Sequence, residues 1–79
     1  MVDTPTPDVT VDAKGLLCPM PIVKLAKAIK ELVPGQVLLL EATDPGSVPD
    51  VTAWAKNTGN PLLAHQTDDK VMRFWIQKS

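Results

Sequence analysis

Seventy-nine residues with one cysteine, eight prolines and a formal net charge of −1 set narrow bounds. At 8.5 kDa, 44% hydrophobic and 22% charged, the chain is expected to form one small domain without a deep enclosed active site, so chemistry belongs on a loop or a helix end. Eight Lys and Arg against nine Asp and Glu give no global attraction to nucleic acid or anionic lipid, and a single cysteine excludes an internal disulfide.

Residues 1–7 carry Thr4, Pro5, Thr6 and Pro7 and read as a flexible leader ahead of a single domain over residues 8–79. This opening is acidic and has no apolar stretch, so no signal peptide is expected. The longest apolar run, residues 37–40, is far short of a transmembrane segment, and a cytoplasmic protein is the default.

Val9, Val11 and Ala13 alternate with Thr10 and Asp12, the period of a half-buried strand. A loop follows, Lys14-Gly15-Leu16-Leu17-Cys18-Pro19-Met20-Pro21. Ile22, Leu25, Ala26, Ile29, Leu32 and Val33 then recur at steps of three and four, with Lys24, Lys27, Lys30 and Glu31 opposite. The spacing predicts an amphipathic helix from residue 19 or 20 to 32, with prolines confined to its first turn and Pro34-Gly35 ending it.

Residues 37–43 form an apolar run broken by Glu41 and read as a central strand. Asp44-Pro45-Gly46 turns the chain. Ser47 with Asp50 resembles a capping box opening a second helix over residues 48–58, which buries Val48, Val51 and Ala55 with Trp54 at its edge and ends at Gly59. Residues 61–67 and 70–77 read as two strands joined at Asp68-Asp69, a turn without the usual glycine. In the last strand Met72, Phe74 and Ile76 share one face and Val71, Arg73 and Trp75 the other. The order β-α-β-α-β-β predicts a two-layer α/β (α+β) sandwich, a four-stranded mixed sheet with both helices on one face. The opposite face, with Trp75 on it, is expected to stay half-exposed and to offer a docking surface.

Cys18 is the main candidate for chemistry. It stands immediately before Pro19 at the predicted helix start, where unpaired N–H groups and the positive end of the helix dipole favour a thiolate. Between Lys14 and Lys30 there are four lysines and no acidic residue, an electropositive setting that a reactive thiol needs. A lone cysteine is also often a small core hydrophobe, and the residues leave both readings open. His65 would pair with Cys18 only if the fold brought them together; otherwise it is an ordinary strand histidine. One Cys and one His at no ligand spacing do not make a zinc site. Asp44 and Asp50 fit turn and cap roles. Met20, Lys24 and Lys27, beside the cysteine and along the basic helix, are candidate partner contacts.

The segment Gly15-Leu16-Leu17-Cys18-Pro19-Met20-Pro21, a Cys-Pro-x-Pro motif entering a lysine-bearing amphipathic helix, resembles the signature of the TusA (SirA/YedF-like) sulfur-carrier family. Pro34-Gly35, Asp44-Pro45, Asp50 and Thr58-Gly59 fall where that pattern has them, so the likeness spans residues 8–78. Asn60-Pro61 and the Thr-Pro leader depart from it. The resemblance implies a sandwich similar to the C-terminal domain of translation initiation factor three. It also implies sulfurtransferase activity in which Cys18 carries sulfane sulfur as a persulfide, framed by Pro19 and Pro21 with Gly15 in the preceding loop. No cofactor beyond that covalent sulfur and no bound metal is implied. Donors would be cysteine desulfurases or rhodanese-like proteins. Acceptors would be DsrE-type or Tus relay proteins, serving tRNA thiolation, cofactor synthesis or dissimilatory sulfur metabolism without direct nucleic-acid contact. Two other readings remain at this point: a non-catalytic adaptor in which Cys18 only packs, and a single-cysteine redox sensor.

Overall fold

The computed structural model describes residues 5–17 and 19–79; the rest of the expected leader, residues 1–4, and Cys18 lie outside the described residues. Six elements follow in the expected order: β1 (Val9–Ala13), α1 (Met20–Ile29), β2 (Val37–Ala42), α2 (Ser47–Thr58), β3 (Leu62–Asp68) and β4 (Val71–Gln77). The sheet order is β1-β2-β4-β3. β1 pairs with β2 in parallel, Val9 opposite Leu38 and Ala13 opposite Ala42, while β4 runs antiparallel to both β2 and β3.

The alternation read in the strands sets which face is buried. Leu38, Leu40, Met72, Phe74 and Ile76 from the sheet meet Leu25 and Ile29 of α1 and Val51 of α2 in one apolar cluster closed by Ala13. Both helices therefore cover the same sheet face, giving the two-layer sandwich. Each of the large side chains buried there contributes roughly 1.5–3 kcal/mol.

The parallel pairing has a geometric consequence. β1 and β2 point the same way, so each helix that follows one of them starts at the carboxyl end of the sheet. The loop after β1, the turn after β2 and the hairpin between β3 and β4 gather at that end.

Several sequence expectations are corrected. α1 ends at Ile29 rather than residue 32; the chain stays wound one further turn through Glu31 N–H to Ala28 O (3.1 Å) and Leu32 N–H to Ile29 O (3.2 Å). That tightened turn carries the helical spacing on to Leu32, but Val33 falls outside it and is 60% exposed. The Ser47–Asp50 capping box does not form. Gly46 occupies the cap, and among the described residues no side chain bonds there and the buried hydroxyl of Ser47, inside the helix, has no hydrogen-bond partner. The turn before α2 is held instead by Asp44, whose carboxylate accepts the Gly46 N–H at 3.2 Å.

Trp75 does lie on the sheet face away from the helices, in register with Leu39 and Ala64, but it is only 5% exposed. The face is half-exposed as expected, with Trp75 itself largely covered by its neighbours. Polar partners mark the same face: Glu41 stands directly opposite Arg73, which donates to it at 3.0 Å and reaches Asp68 at 3.5 Å, and Lys14 approaches Glu41 at 3.9 Å. Surface pairs of this kind add little energy, yet a one-residue slip would break all of them at once, so they help fix the register.

Asn60, a departure from the resembled pattern, is 5% exposed and fastens two chain segments. Its amide donates to Thr58 Oγ1 at 2.9 Å, and its carbonyl oxygen accepts the Ser79 N–H at 2.9 Å and the Ser79 hydroxyl at 3.0 Å. Replacing Asn60 by Ala removes these bonds at once. The expected cost is about 1–2 kcal/mol, seen as a fall in Tm of roughly 5–10 °C for a domain of this size; an unchanged melting curve would show that Asn60 fastens nothing.

The missing glycine in the last hairpin is also visible. Asp69, the first of the two loop residues between paired Asp68 and Val71, takes φ +58°, a left-handed conformation that costs a side chain energy. Asp69→Gly is expected to raise the unfolding free energy by about 0.5–1 kcal/mol, read as a higher urea midpoint at unchanged slope.

Candidate functional site

The Cys-Pro-x-Pro segment joins β1 to α1 at the carboxyl end of the sheet. Pro19 caps α1 with φ −95° and ψ 14°, and Pro21 lies in the first turn, where its missing N–H breaks no helical bond. Among the described residues no side chain caps this end, and the first turn holds no acidic residue. The first turn itself thus adds no carboxylate to offset the positive end of the helix dipole. Pro21 is buried and roots the turn in the core, whereas Met20 beside it is 47% exposed.

The loop before the motif is tied down residue by residue. Lys14 N–H donates to Asp12 Oδ1 at 2.9 Å, and Leu16 N–H to Ala13 O at 3.2 Å. Gly15 takes φ +81°, which an L side chain would resist, and its N–H donates to Thr43 Oγ1 at 2.9 Å, at the end of β2. Met20 N–H closes the segment on Leu17 O at 2.9 Å. Gly15, expected only as a motif residue, thus acts through its backbone.

Cys18 itself lies outside the described residues; its neighbours define the surface around the motif. Leu17 (74% exposed), Met20 and Val23 (46%) are large apolar side chains left to solvent within six residues of each other in sequence. On the other flank a shallow groove between the helices is lined by Pro19, Ile22, Ala53 and Trp54, with Asp50 and Asn57 at its polar edge. Of these, only Met20 was marked beforehand as a partner contact. Leu17 and Val23 were not marked. For Val23 a signal was present, because it falls outside the stripe of Ile22, Leu25, Ala26 and Ile29; Leu17, in the loop, had no periodicity to place it.

The two marked lysines behave differently. Lys24 sends its ammonium back to the Asp12 carbonyl at 2.9 Å, bridging α1 to the end of β1. Lys27 is exposed and shares with Lys24, Val11, Ala28 and Glu31 a shallow groove between α1 and the edge strand β1. Lys27 is exposed, while the Lys24 ammonium is bonded within the fold.

His65 is not part of this arrangement. It stacks on Phe74, ring centroids 4.8 Å apart and planes 2° from parallel, on β3, at the opposite edge of the sheet from β1. Asp44 serves the turn into α2, and Asp50 stands in the first turn of that helix. Among the described residues no three His, Cys, Asp or Glu side chains are grouped as a metal would need, and no helix is long and apolar enough to cross a membrane.

Comparisons with known proteins agree with this architecture. The sequence pattern of the family described as "Sulfurtransferase TusA" matches residues 9–78. YrkI of Bacillus subtilis is 51% identical over 90% of this chain and 95% of its own length. "Sulfur carrier protein TusA" of Allochromatium vinosum is 46% identical over 91% of this chain and 95% of that protein. The crystal structure of a SirA-like protein from Desulfitobacterium hafniense superposes with a TM-score of 0.78 at 27% identity, covering 87% of this chain and 95% of that one. With nearly the whole chain matched, in sequence and in fold, the protein belongs to the TusA sulfurtransferase family.

Proposed function

We propose that this protein is a sulfur carrier, taking sulfane sulfur as a persulfide on Cys18 and passing it to a cysteine of an acceptor protein. One observation carries the reading: the only cysteine of a chain matched over nearly its whole length to TusA carriers directly precedes the proline that caps α1, at a helix start without an acidic residue. The helix dipole there favours negative charge, which both the thiolate and the persulfide bear.

The transfer is an exchange between sulfurs. The Cys18 thiolate attacks the outer sulfur of a donor persulfide, a new bond forms between Sγ and that sulfur, and the donor's S–S bond breaks with its electron pair leaving on the donor thiolate. The acceptor thiolate later attacks the outer sulfur on Cys18 and restores the Cys18 thiolate. No net electrons are gained or lost, and no cofactor is called upon. A second cysteine in the chain could resolve the persulfide into a disulfide; with only one, that loss is closed off within the molecule.

The surroundings support transfer between proteins rather than turnover of a small molecule. The motif sits among the exposed Leu17, Met20 and Val23 and beside an open groove, a surface on which another protein can dock. The partners that fit are a cysteine desulfurase or rhodanese-like protein as donor and a DsrE-type or Tus relay protein as acceptor, in the cytoplasm. The adaptor and redox-sensor readings gain no specific observation.

Intact-mass measurement after incubation with a sulfane-sulfur donor tests the proposal. Wild-type protein is expected to gain the mass of one sulfur, lost again on reduction, and Cys18→Ser to gain none. Oxygen adducts alone on the wild type would favour a redox sensor, and partner binding indifferent to Cys18→Ser with no sulfur uptake would favour an adaptor.

A further inference from the structure

We propose that Thr43 and Lys24 are positioning residues that hold the loop bearing Cys18 in the geometry from which its sulfur reacts. The inference rests on the persulfide reading above and adds to it two side chains outside the Cys-Pro-x-Pro motif. Both act at a distance in sequence. Thr43 lies 28 residues from Gly15 and Lys24 lies 12 from Asp12, and their bonds close the loop from two sides.

Thr43 stands just past the end of β2, half-buried, and its Oγ1 accepts the Gly15 N–H at 2.9 Å. The short side chain puts its hydroxyl on the loop backbone directly, and a serine at this position would offer the same acceptor. Gly15 meets it with φ +81°, the one left-handed residue among the described residues of the loop. Lys24 works from the other side. From the second turn of α1 its Nζ donates to the Asp12 carbonyl at 2.9 Å, while the Asp12 carboxylate accepts the Lys14 N–H at 2.9 Å. Asp12 is thereby a common anchor for the helix and for the first residue of the loop. Between β1, β2 and α1 the chain that leads to Cys18 is fixed at Lys14, Gly15 and Leu16 and again at Met20.

Attack on a persulfide needs the incoming sulfur in line with the bond that breaks, and small misplacements are costly when the reacting groups sit on two docked proteins. A six-residue loop without helix or strand structure would not supply that order. The two tertiary ties do.

The test compares Thr43→Val, which keeps the shape and removes the acceptor, with Thr43→Ser, which keeps the hydroxyl, and with Lys24→Met, which keeps the stem and removes the ammonium. Two readouts are taken on each folded variant: the pH profile of Cys18 alkylation by iodoacetamide, and the rate at which persulfide-loaded protein passes sulfur to an acceptor thiol protein. Thr43→Val and Lys24→Met are expected to displace the alkylation midpoint and to slow transfer about five- to tenfold, the rate equivalent of one lost hydrogen bond, and Thr43→Ser to restore the wild-type profile. Transfer and alkylation within twofold of wild type in Thr43→Val would overturn the proposal. So would an equal loss in Thr43→Ser, because the hydroxyl would then not be the cause. If the wild type alkylates normally but never takes up sulfur, the persulfide reading falls, while the alkylation profiles still decide whether Thr43 and Lys24 position the thiol.

Discussion

The parallel pairing of β1 with β2 is the constraint on which the rest of the structure depends. Two strands that run side by side in the same direction cannot be joined by a tight turn; the chain must return along the full length of the sheet, and here it returns as α1. That crossover forces α1 to begin at the carboxyl end of β1, so the loop between them, with its lone cysteine, lies at the edge of the sheet's carboxyl end. The same constraint brings the end of β2 alongside, which is why Thr43 can reach Gly15. Ligands and reactive groups in open α/β sheets gather at this end for the same reason.

Much of this was legible in the sequence because strong periodicities leave little choice. Ile22, Leu25 and Ile29 can form one stripe only on a helix, and Val9, Val11 and Ala13 one face only on a strand. The helix faces, the sheet partition around Phe74 and the left-handed cap at Gly59 followed from such patterns. What escaped was tertiary. Trp75 was placed on the correct face, but alternation assigns a face and not how far its neighbours cover a side chain as large as tryptophan. Ser47 was read as a cap because its residue type favours that role, but the turn through Asp44 set the helix start at Gly46 and left the hydroxyl buried inside. The exposure of Leu17 was invisible for a related reason, since a loop residue has no periodicity to declare its surroundings.

Charge shows the same division between what composition says and what folding does with it. The net charge of −1 concealed a basic stretch from Lys14 to Lys30. Folding divides that stretch. Lys14 turns to Glu41 on the face away from the helices, joining Arg73 and Asp68, and Lys24 turns back to the Asp12 carbonyl. Covering an outward carbonyl of an edge strand with a lysine also makes β1 a poorer template for pairing with a foreign strand. Two of the four lysines therefore stabilise the fold near the motif, and Lys27 and Lys30 are left on the outer surface of α1 and the turn that ends it. Lys24 keeps its full positive charge against a neutral carbonyl, so it still contributes to steering an acidic partner.

A domain of this size cannot bury a reaction, so it must divide the task with whatever docks on it. Exposed Leu17, Met20 and Val23 are a liability for a free protein and an asset only for one that is repeatedly covered by partners. Such a surface gives adhesion without rigidity. The order comes from beneath, where Asp12, Thr43 and Lys24 hold the backbone while Pro19 and Pro21 restrict the turn into α1. A carrier that meets a donor and an acceptor in turn benefits from that separation. The apolar rim can adapt to two different proteins, while the backbone at Lys14, Gly15 and Leu16 is tied to β1 and β2 and, under the proposed transfer, would keep one shape for both.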